Sequence, residues 1–267
     1  MSGFEAQYGR TADGYLAART GDLAYIAVPV AKGLRIASGW RIGRPIAQWR
    51  LGDACGSEGI AADEDGFRAH VAAIAAHLCQ REVLNRKETR IAKATPWGAS
   101  HGATVYAEGV VFHSTASHGG FKLDRARNAA MPPLLRLKGG WYEEDAEWAM
   151  VAAAFPALFT ERENALADRT LKNSWPDVWE GLNGRTLAPG ESQARDRELF
   201  EREHAADWIA VAAVQSYRHA GMVEATATVG GRREGGQMRH FLVPAAEYTP
   251  GPHGFVINLE RHVAAET

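Results

Sequence analysis

Two imidazoles, three hydroxyls and two glycines fall within eight residues: His113, Ser114, Thr115, Ser117, His118, Gly119 and Gly120. An acidic run, Glu143-Glu144-Asp145, follows further along, just after Gly140 and Trp141. Imidazole and carboxylate together are the donor set of a divalent metal site or of a general acid–base pair. His113 and His118 are five apart, so they are not the i, i+4 pair of a helical zinc motif, and no His-Glu-x-x-His occurs. A strand residue and a residue of the loop that follows can still meet at one ion. We therefore take His113, His118 and Glu144 as candidate ligands of a divalent metal, with Glu143, Asp145 and His101 as other sources of a third ligand. For catalysis the candidates are His118, Glu144 and Ser117, the hydroxyl needing a base within hydrogen-bond reach to become a nucleophile. The spacing of the hydroxyls about the two histidines matches no hydrolase elbow.

Gly119 and Gly120 permit positive φ or close backbone approach, so their loop is a candidate cradle for an anion, and Trp141 joins them as a candidate ligand-binding residue. Each feature also has a plainer reading. His113 can simply pack in a sheet and His118 bond its own loop. Hydroxyls in a turn usually satisfy backbone donors, and carboxylates gather at the positive end of a helix dipole.

The elements that must position these groups follow from periodicity. Leu23–Val30 and Gly33–Ala37 read as strands, with Pro29 marking an edge or strand end. A third strand is expected over Gly43–Leu51, and residues 1–20 form an arm or a loose end. Asp63-Glu64-Asp65-Gly66 precedes apolar residues at helical spacing from Phe67 to Leu78, an amphipathic helix reaching about residue 85. Glu108-Gly109 turns a hairpin between strands at Thr104–Ala107 and Val110–Thr115, which puts Val111, His113 and Thr115 on one face. Phe121–Leu123 continues the sheet, Asp124 caps a short helix to Ala130, and a buried helix starts at Tyr142 with the acids in its first turns. Glu161–Leu171 is helical, Trp175–Gly190 a loop with one turn of helix, and Ser192–Ala206 a charged helix. Trp208–Val214 reads as a strand, with a helical continuation as the alternative. Strands at Val223–Val229, His240–Val243 and Phe255–Ile257 complete a C-terminal meander turning at Gly230-Gly231 and Gly235-Gly236. The class is α+β, with mixed or antiparallel sheets and packed helices. The polar, basic segment 85–97 suggests a boundary between an N-terminal α+β region, 1–90, and a main domain, 95–262, that carries the His/acid motif.

A chain of 267 residues with 46% apolar composition can build one large core or two modest ones. The net charge of -2 provides no global basic field toward nucleic acid or an anionic membrane. Local patches around Lys87, Arg90 and Lys93, or around Arg125, Arg127, Arg136 and Lys138, are still allowed, and exposed members of the eight tryptophans can stack on bases. Two cysteines, Cys55 and Cys79, are expected unpaired in a reducing compartment. The N-terminus lacks a charged and apolar leader, and no run approaches ~18 apolar residues, so a cytoplasmic location without membrane contact is expected.

Thr95-Pro96-Trp97-Gly98, the His113–Phe121 stretch, Gly140–Asp145 and Arg239–Tyr248 together resemble an uncharacterised domain family encoded on bacterial plasmids and phages, over about residues 95–262. The family carries no established activity, so the resemblance assigns no residue a role. It implies a mobile-element accessory protein that binds a host or nucleic-acid-processing partner, protein or nucleic acid, in host-defence evasion or DNA maintenance. The residues themselves carry the alternative, a metal-assisted hydrolase using His113, His118 and a carboxylate from Glu143 to Asp145. Convergence of imidazole and carboxylate beside a cavity would favour the enzyme, and their separation the binding protein.

Overall fold

A computed structural model describes residues 3–233 and 236–265. The chain divides into two compact units, Met1–Thr170 and Leu171–Thr267. The fold is α+β, with antiparallel sheets throughout and a C-terminal meander.

The first unit opens with a five-stranded meander in chain order, β1 (Gln7–Arg10), β2 (Leu16–Thr20), β3 (Leu23–Val30), β4 (Gly33–Trp40) and β5 (Gly56–Ala61). Residues 1–20, expected as an arm, thus supply two strands. Alternation places Ala18, Tyr25, Ala27 and Ile36 on one face, covered by Phe67, Val71 and Ile74 of α1 (Glu64–Leu84). Asp63 caps that helix by accepting the Gly66 N–H at 2.8 Å. The opposite face, with Ala17, Ala24, Ile26 and Ala37, packs on the fully buried Trp49. The strand expected over Gly43–Leu51 is therefore absent. Pro45 lacks an N–H, and the chain forms short 3-10 turns at Ile46–Gln48 and Leu51–Asp53 that turn the indole inward, its N–H donating to Arg44 O at 2.9 Å.

A second five-stranded sheet lies in the same unit. Its strands are β6 (Lys87–Thr89), β9 (Gly102–Ala107), β10 (Val110–Ser114), β11 (Gly119–Leu123) and β12 (Trp141–Glu143), in the order β12-β11-β10-β9-β6, with a small hairpin of β7 (Ala94–Thr95) and β8 (Gly98–Ala99) between the first two. Gly109 makes the β9–β10 turn at φ 77°, and Asp124 caps α2 (Arg125–Ala130). The helix expected from Tyr142 is shorter and later, α3 (Trp148–Ala154), because Trp141, Tyr142 and Glu143 pair with Lys122, Phe121 and Gly120 as a strand. The acids thus leave a strand rather than start a helix, and no helix dipole explains them.

The boundary expected at 85–97 does not separate folded parts, because Arg86 reaches across it. Its side chain is 9% exposed and grips Glu163 in a bidentate pair, Nη1–Oε1 2.8 Å and Nη2–Oε2 2.6 Å. Nη2 also donates to Leu158 O at 2.7 Å, and the guanidinium lies 4.0 Å from the Tyr106 ring centroid. Glu163 belongs to α4 (Glu161–Ser174), where it forms a capping box with Thr160: Thr160 N–H donates to Oε2, and Glu163 N–H to Thr160 Oγ1. The unit boundary falls inside α4.

The second unit contains α5 (Pro176–Asn183) and α6 (Gln193–Glu203), then β13 (Trp208–Gln215), β14 (Met222–Val229), β15 (Met238–Pro244), β16 (Phe255–Val256) and β17 (Val263–Ala264), ordered β16-β13-β14-β15-β17. Ala225, Ala227, Phe241, Val243 and Ile257 form its core. The helical turn expected in the segment from Trp175 is the longer α5, started by Pro176 at its first position and closed by Gly184 at φ 63°. Gly230 and Gly231 turn the meander at φ 64° and 69°, while Gly235 lies outside the described residues. Among the described residues no helix is long and apolar enough to cross a membrane.

Burial alone would raise the Glu163 carboxyl, but the Arg86 hydrogen bonds and the Thr160 N–H outweigh it and hold the group below its ordinary value of 4.5. A lowered carboxyl stabilises the fold fully above its ordinary value, and that contribution fades as the pH falls through the lowered one. Arg86→Ala is expected to lower the melting temperature at neutral pH by roughly 10 °C, since breaking a buried pair costs about 3 kcal/mol. The gap to the unmodified protein should narrow on acidification. Scanning calorimetry that finds equal melting temperatures at neutral pH would show that the pair contributes nothing.

Candidate functional site

The loop between β10 and β11 is built by Thr115. Its Oγ1 accepts the N–H groups of Ser117 at 3.4 Å and His118 at 3.2 Å and donates to His118 O at 2.6 Å. The hydroxyl thereby satisfies a tight turn and leaves the His118 ring, 51% exposed, free to face the acids. On the neighbouring strand, Glu143 sits opposite Gly120, and the Glu144 N–H donates to Gly119 O at 3.0 Å. Backbone pairing thus delivers both carboxylates to the end of the His118 loop. His118 Nδ1 lies 3.4 Å from Glu143 Oε1, and one ligand atom each of His118, Glu143 and Glu144 lie within 4.8 Å of one another. Glu143 Oε1 is buried and accepts no hydrogen bond, whereas Oε2 takes the Asp145 N–H at 2.6 Å. A buried, unbonded carboxylate oxygen is costly unless a proton or cation meets it.

Glu144 also lines a cleft of about 230 Å³ whose other walls are Tyr106, Phe112, Phe121, Trp148, Phe159 and Glu163. Phe121 is its centre, with ring centroids 4.9 Å from Tyr106, 5.2 Å from Phe112 and 5.8 Å from Phe159. Arg86 already neutralises Glu163, so Glu144 is the carboxylate whose charge is free to act on a bound molecule. The arrangement is an apolar cleft with Glu144 on its lip and, beside that carboxylate, His118 and Glu143.

The other expected residues lie elsewhere. His113 does not join the cluster: it is buried on the sheet face away from Glu144 and the cleft, its Nδ1 3.3 Å from Ser100 Oγ and its ring 5.6 Å from Trp141. Burial, then the charge of Lys93, lower its pKa and favour the neutral ring. Ser117 is exposed, and among the described residues no base is hydrogen-bonded to its hydroxyl. Trp141 packs edge-on against Trp97 at 5.7 Å, on the side of the sheet away from the cleft. Asp145 and His101 are exposed and outside the cluster.

Ser100 is the residue that sequence reasoning overlooks, since Gly98-Ala99-Ser100-His101-Gly102 has the Gly-x-Ser-x-Gly spacing. The structure supplies neither the exposed strand-to-helix turn nor the acid that such a nucleophile needs. Ser100 is buried, lies just before β9, and donates to Gly102 O at 2.9 Å, so its pairing with His113 is structural.

Gly119 and Gly120 are strand residues, and neither adopts positive φ, so they form no anion-cradling turn. Their need is space. A Cβ on Gly120 would overlap the Trp97 indole and Tyr142 O, and one on Gly119 would stand 2.5 Å from Glu144 Oε2, 2.8 Å from Phe112 Cζ and 2.9 Å from His113 O. The carboxylate can swing away but the carbonyl cannot. Gly119→Ala is therefore expected to displace Glu144 and destabilise the unit by about 2 kcal/mol, a typical overpacking cost. Chemical denaturation should read this loss, and a variant as stable as the parent would mean that the close approach is not required.

Residues 90–205 match a family model described as a domain of unknown function, DUF7007. No curated protein and no solved structure matches the chain. By that match, residues 90–205, with the His118 loop, both carboxylates and every residue lining the cleft, resemble an uncharacterised domain family.

Proposed function

We propose that His118, Glu143 and Glu144 hold a divalent cation and that the aromatic cleft beside them receives the substrate of a metal-assisted hydrolysis. The observation that carries this reading is the convergence of the three ligand atoms within 4.8 Å at the lip of a cleft. One nitrogen and two oxygen donors suit a borderline or hard ion such as zinc or manganese better than a soft one. The half-exposed ring of His118 leaves coordination positions open to water, as catalytic sites do and closed structural sites do not. A bound ion would satisfy Glu143 Oε1, lower the pKa of a coordinated water toward ~7 and polarise a phosphoryl or acyl oxygen. The rings of Phe112, Phe121 and Trp148 would hold the apolar part of the same substrate against Glu144. The mobile-element setting and the anti-defence role are proposed from the family resemblance alone.

Electron paramagnetic resonance titration of the full chain with Mn²⁺ is expected to show one site. His118→Ala and Glu144→Gln should each weaken it by about ten-fold or more, and the double variant should lose less than the sum of the two because both ligands serve one ion. Hydrolysis of p-nitrophenyl acetate or bis(p-nitrophenyl) phosphate should be removed by EDTA and restored by Mn²⁺. Absence of Mn²⁺ binding would sink the metal site. Binding with no turnover of either compound would leave a cation-binding domain and remove the hydrolase.

A further inference from the structure

We infer that the face of the second sheet opposite the cleft binds single-stranded nucleic acid, with Lys87, Lys93 and Lys122 on its phosphates and Trp141 against a base. The strand register carries this inference. Lys87 pairs with Val105, Val105 with Val111, Val111 with Lys122 and Lys122 with Trp141, so one continuous row crosses all five strands. The adjacent residues Thr104, Phe112, Phe121 and Tyr142 point to the other side, where the cleft and the core lie. The two glycines mark the same division, Gly119 facing Phe112 and Glu144 and Gly120 facing Trp97. The row is not sealed by other elements: Lys87 is exposed, and Val105, Val111, Lys122 and Trp141 are half-buried.

Positive charge gathers on this face, where Asp124 acts on Lys122 only as the weakest of the groups that set its pKa. Lys93 Nζ lies 5.7 Å and Lys122 Nζ 5.2 Å from the Trp141 ring centroid, and Lys122 also donates to Gly139 O. Among the described residues, none of the three lysines forms an ion pair. Glu143, the acid of the neighbouring row, is committed to His118 and to the Asp145 N–H. Burial, and then the charge of Lys93, hold the Lys122 ammonium below its ordinary pKa, which an incoming anion would relieve.

Five strands at the usual spacing span about 19 Å, enough for several nucleotides. The complementary molecule carries regularly spaced anions and flat rings. In a duplex the rings are stacked away from an indole, whereas a single strand can splay a base onto it. With a net charge of -2 there is no global basic field, so any attraction for the strand must come from local groups such as these.

Fluorescence anisotropy of a labelled oligothymidylate of about 12 nucleotides, titrated with the full chain at ~50 mM salt, is the test. Saturable binding is expected, with a log–log salt slope near -2 for three phosphates on a single strand. Lys87→Ala/Lys93→Ala should weaken it by about ten-fold and flatten the slope, and both residues are exposed, so folding is not at issue. Trp141→Phe should keep most of the affinity, while Trp141→Leu should lose about ten-fold. Absence of saturable binding, or full affinity in the double lysine variant, would overturn the inference. So would a duplex or heparin bound as tightly as the single strand, which would mark a plain polyanion surface. Because Glu144 lines the cleft on the other side and His118 stands beyond the strand end, outside the row, His118→Ala should leave this affinity unchanged, so failure of the metal reading does not remove this one.

Discussion

The absence of two Cβ atoms in β11 is the constraint on which both faces of the second sheet depend. A strand ordinarily keeps its neighbours at side-chain distance, but Gly119 lets the Glu144 carboxylate and the Phe112 ring come down onto the backbone, and Gly120 lets the Trp97 indole do so from the other side. Any larger residue at either position would push one layer outward. The first would move Glu144 away from His118 and the cleft. The second would lift the β7–β8 hairpin from Trp141. Chemistry on one face and charge on the other thus share one local feature of the chain.

Around that strand, electrostatics sort the charged groups by whether they are answered. Arg86 and Glu163 answer each other in a buried bidentate pair, and the same guanidinium caps the Tyr106 ring and ties Leu158 into place. Desolvating two charges is acceptable there because both terminal nitrogens of the guanidinium and both carboxylate oxygens are hydrogen-bonded, Arg86 Nε alone being buried without a partner. At the cleft mouth the balance differs: Glu143 Oε1 is buried with only an imidazole nearby, and Glu144 has no cation of its own. On the far face Lys93 and Lys122 flank the Trp141 indole, and among the described residues neither forms an ion pair. Charges left unanswered inside an otherwise satisfied fold are the places where a ligand gains most.

The aromatic groups divide in the same way. Phe112, Phe121, Phe159 and Tyr106 interlock as the apolar wall of the cleft, and their edge-to-face contacts hold the shape of the cavity. Trp97 and Trp141 instead form an edge-on pair beside lysines, on a surface that water reaches. Strand alternation alone makes the distinction: Tyr142 and Trp141 are neighbours in sequence and belong to opposite environments.

Local signals fixed a good part of this fold in advance. β3, the Asp63 cap with its helix, the Glu108-Gly109 hairpin, the Asp124 cap and the C-terminal meander follow from alternation, turn chemistry and capping, which act within a few residues. The expectations that failed are those in which a distant partner outweighs local preference. Trp49 turns Gly43–Leu51 away from a strand because it fills one side of the first sheet, and pairing with β11 makes Trp141–Glu143 a strand where helical spacing suggests a helix. Arg86 erases the apparent linker through a contact with Glu163, which no window of sequence contains. For the site, the sequence determines the inventory of imidazoles, carboxylates and glycines. Which histidine meets the acids is a matter of register: the pleat turns His113, in mid-strand, away from Glu144 and the cleft and onto Ser100 and Trp141, while His118, beyond the strand end, escapes the pleat and reaches Glu143 and Glu144. Only the pairing of β10, β11 and β12 decides this, because strand register is a property of neighbouring strands and not of the residues in any one of them.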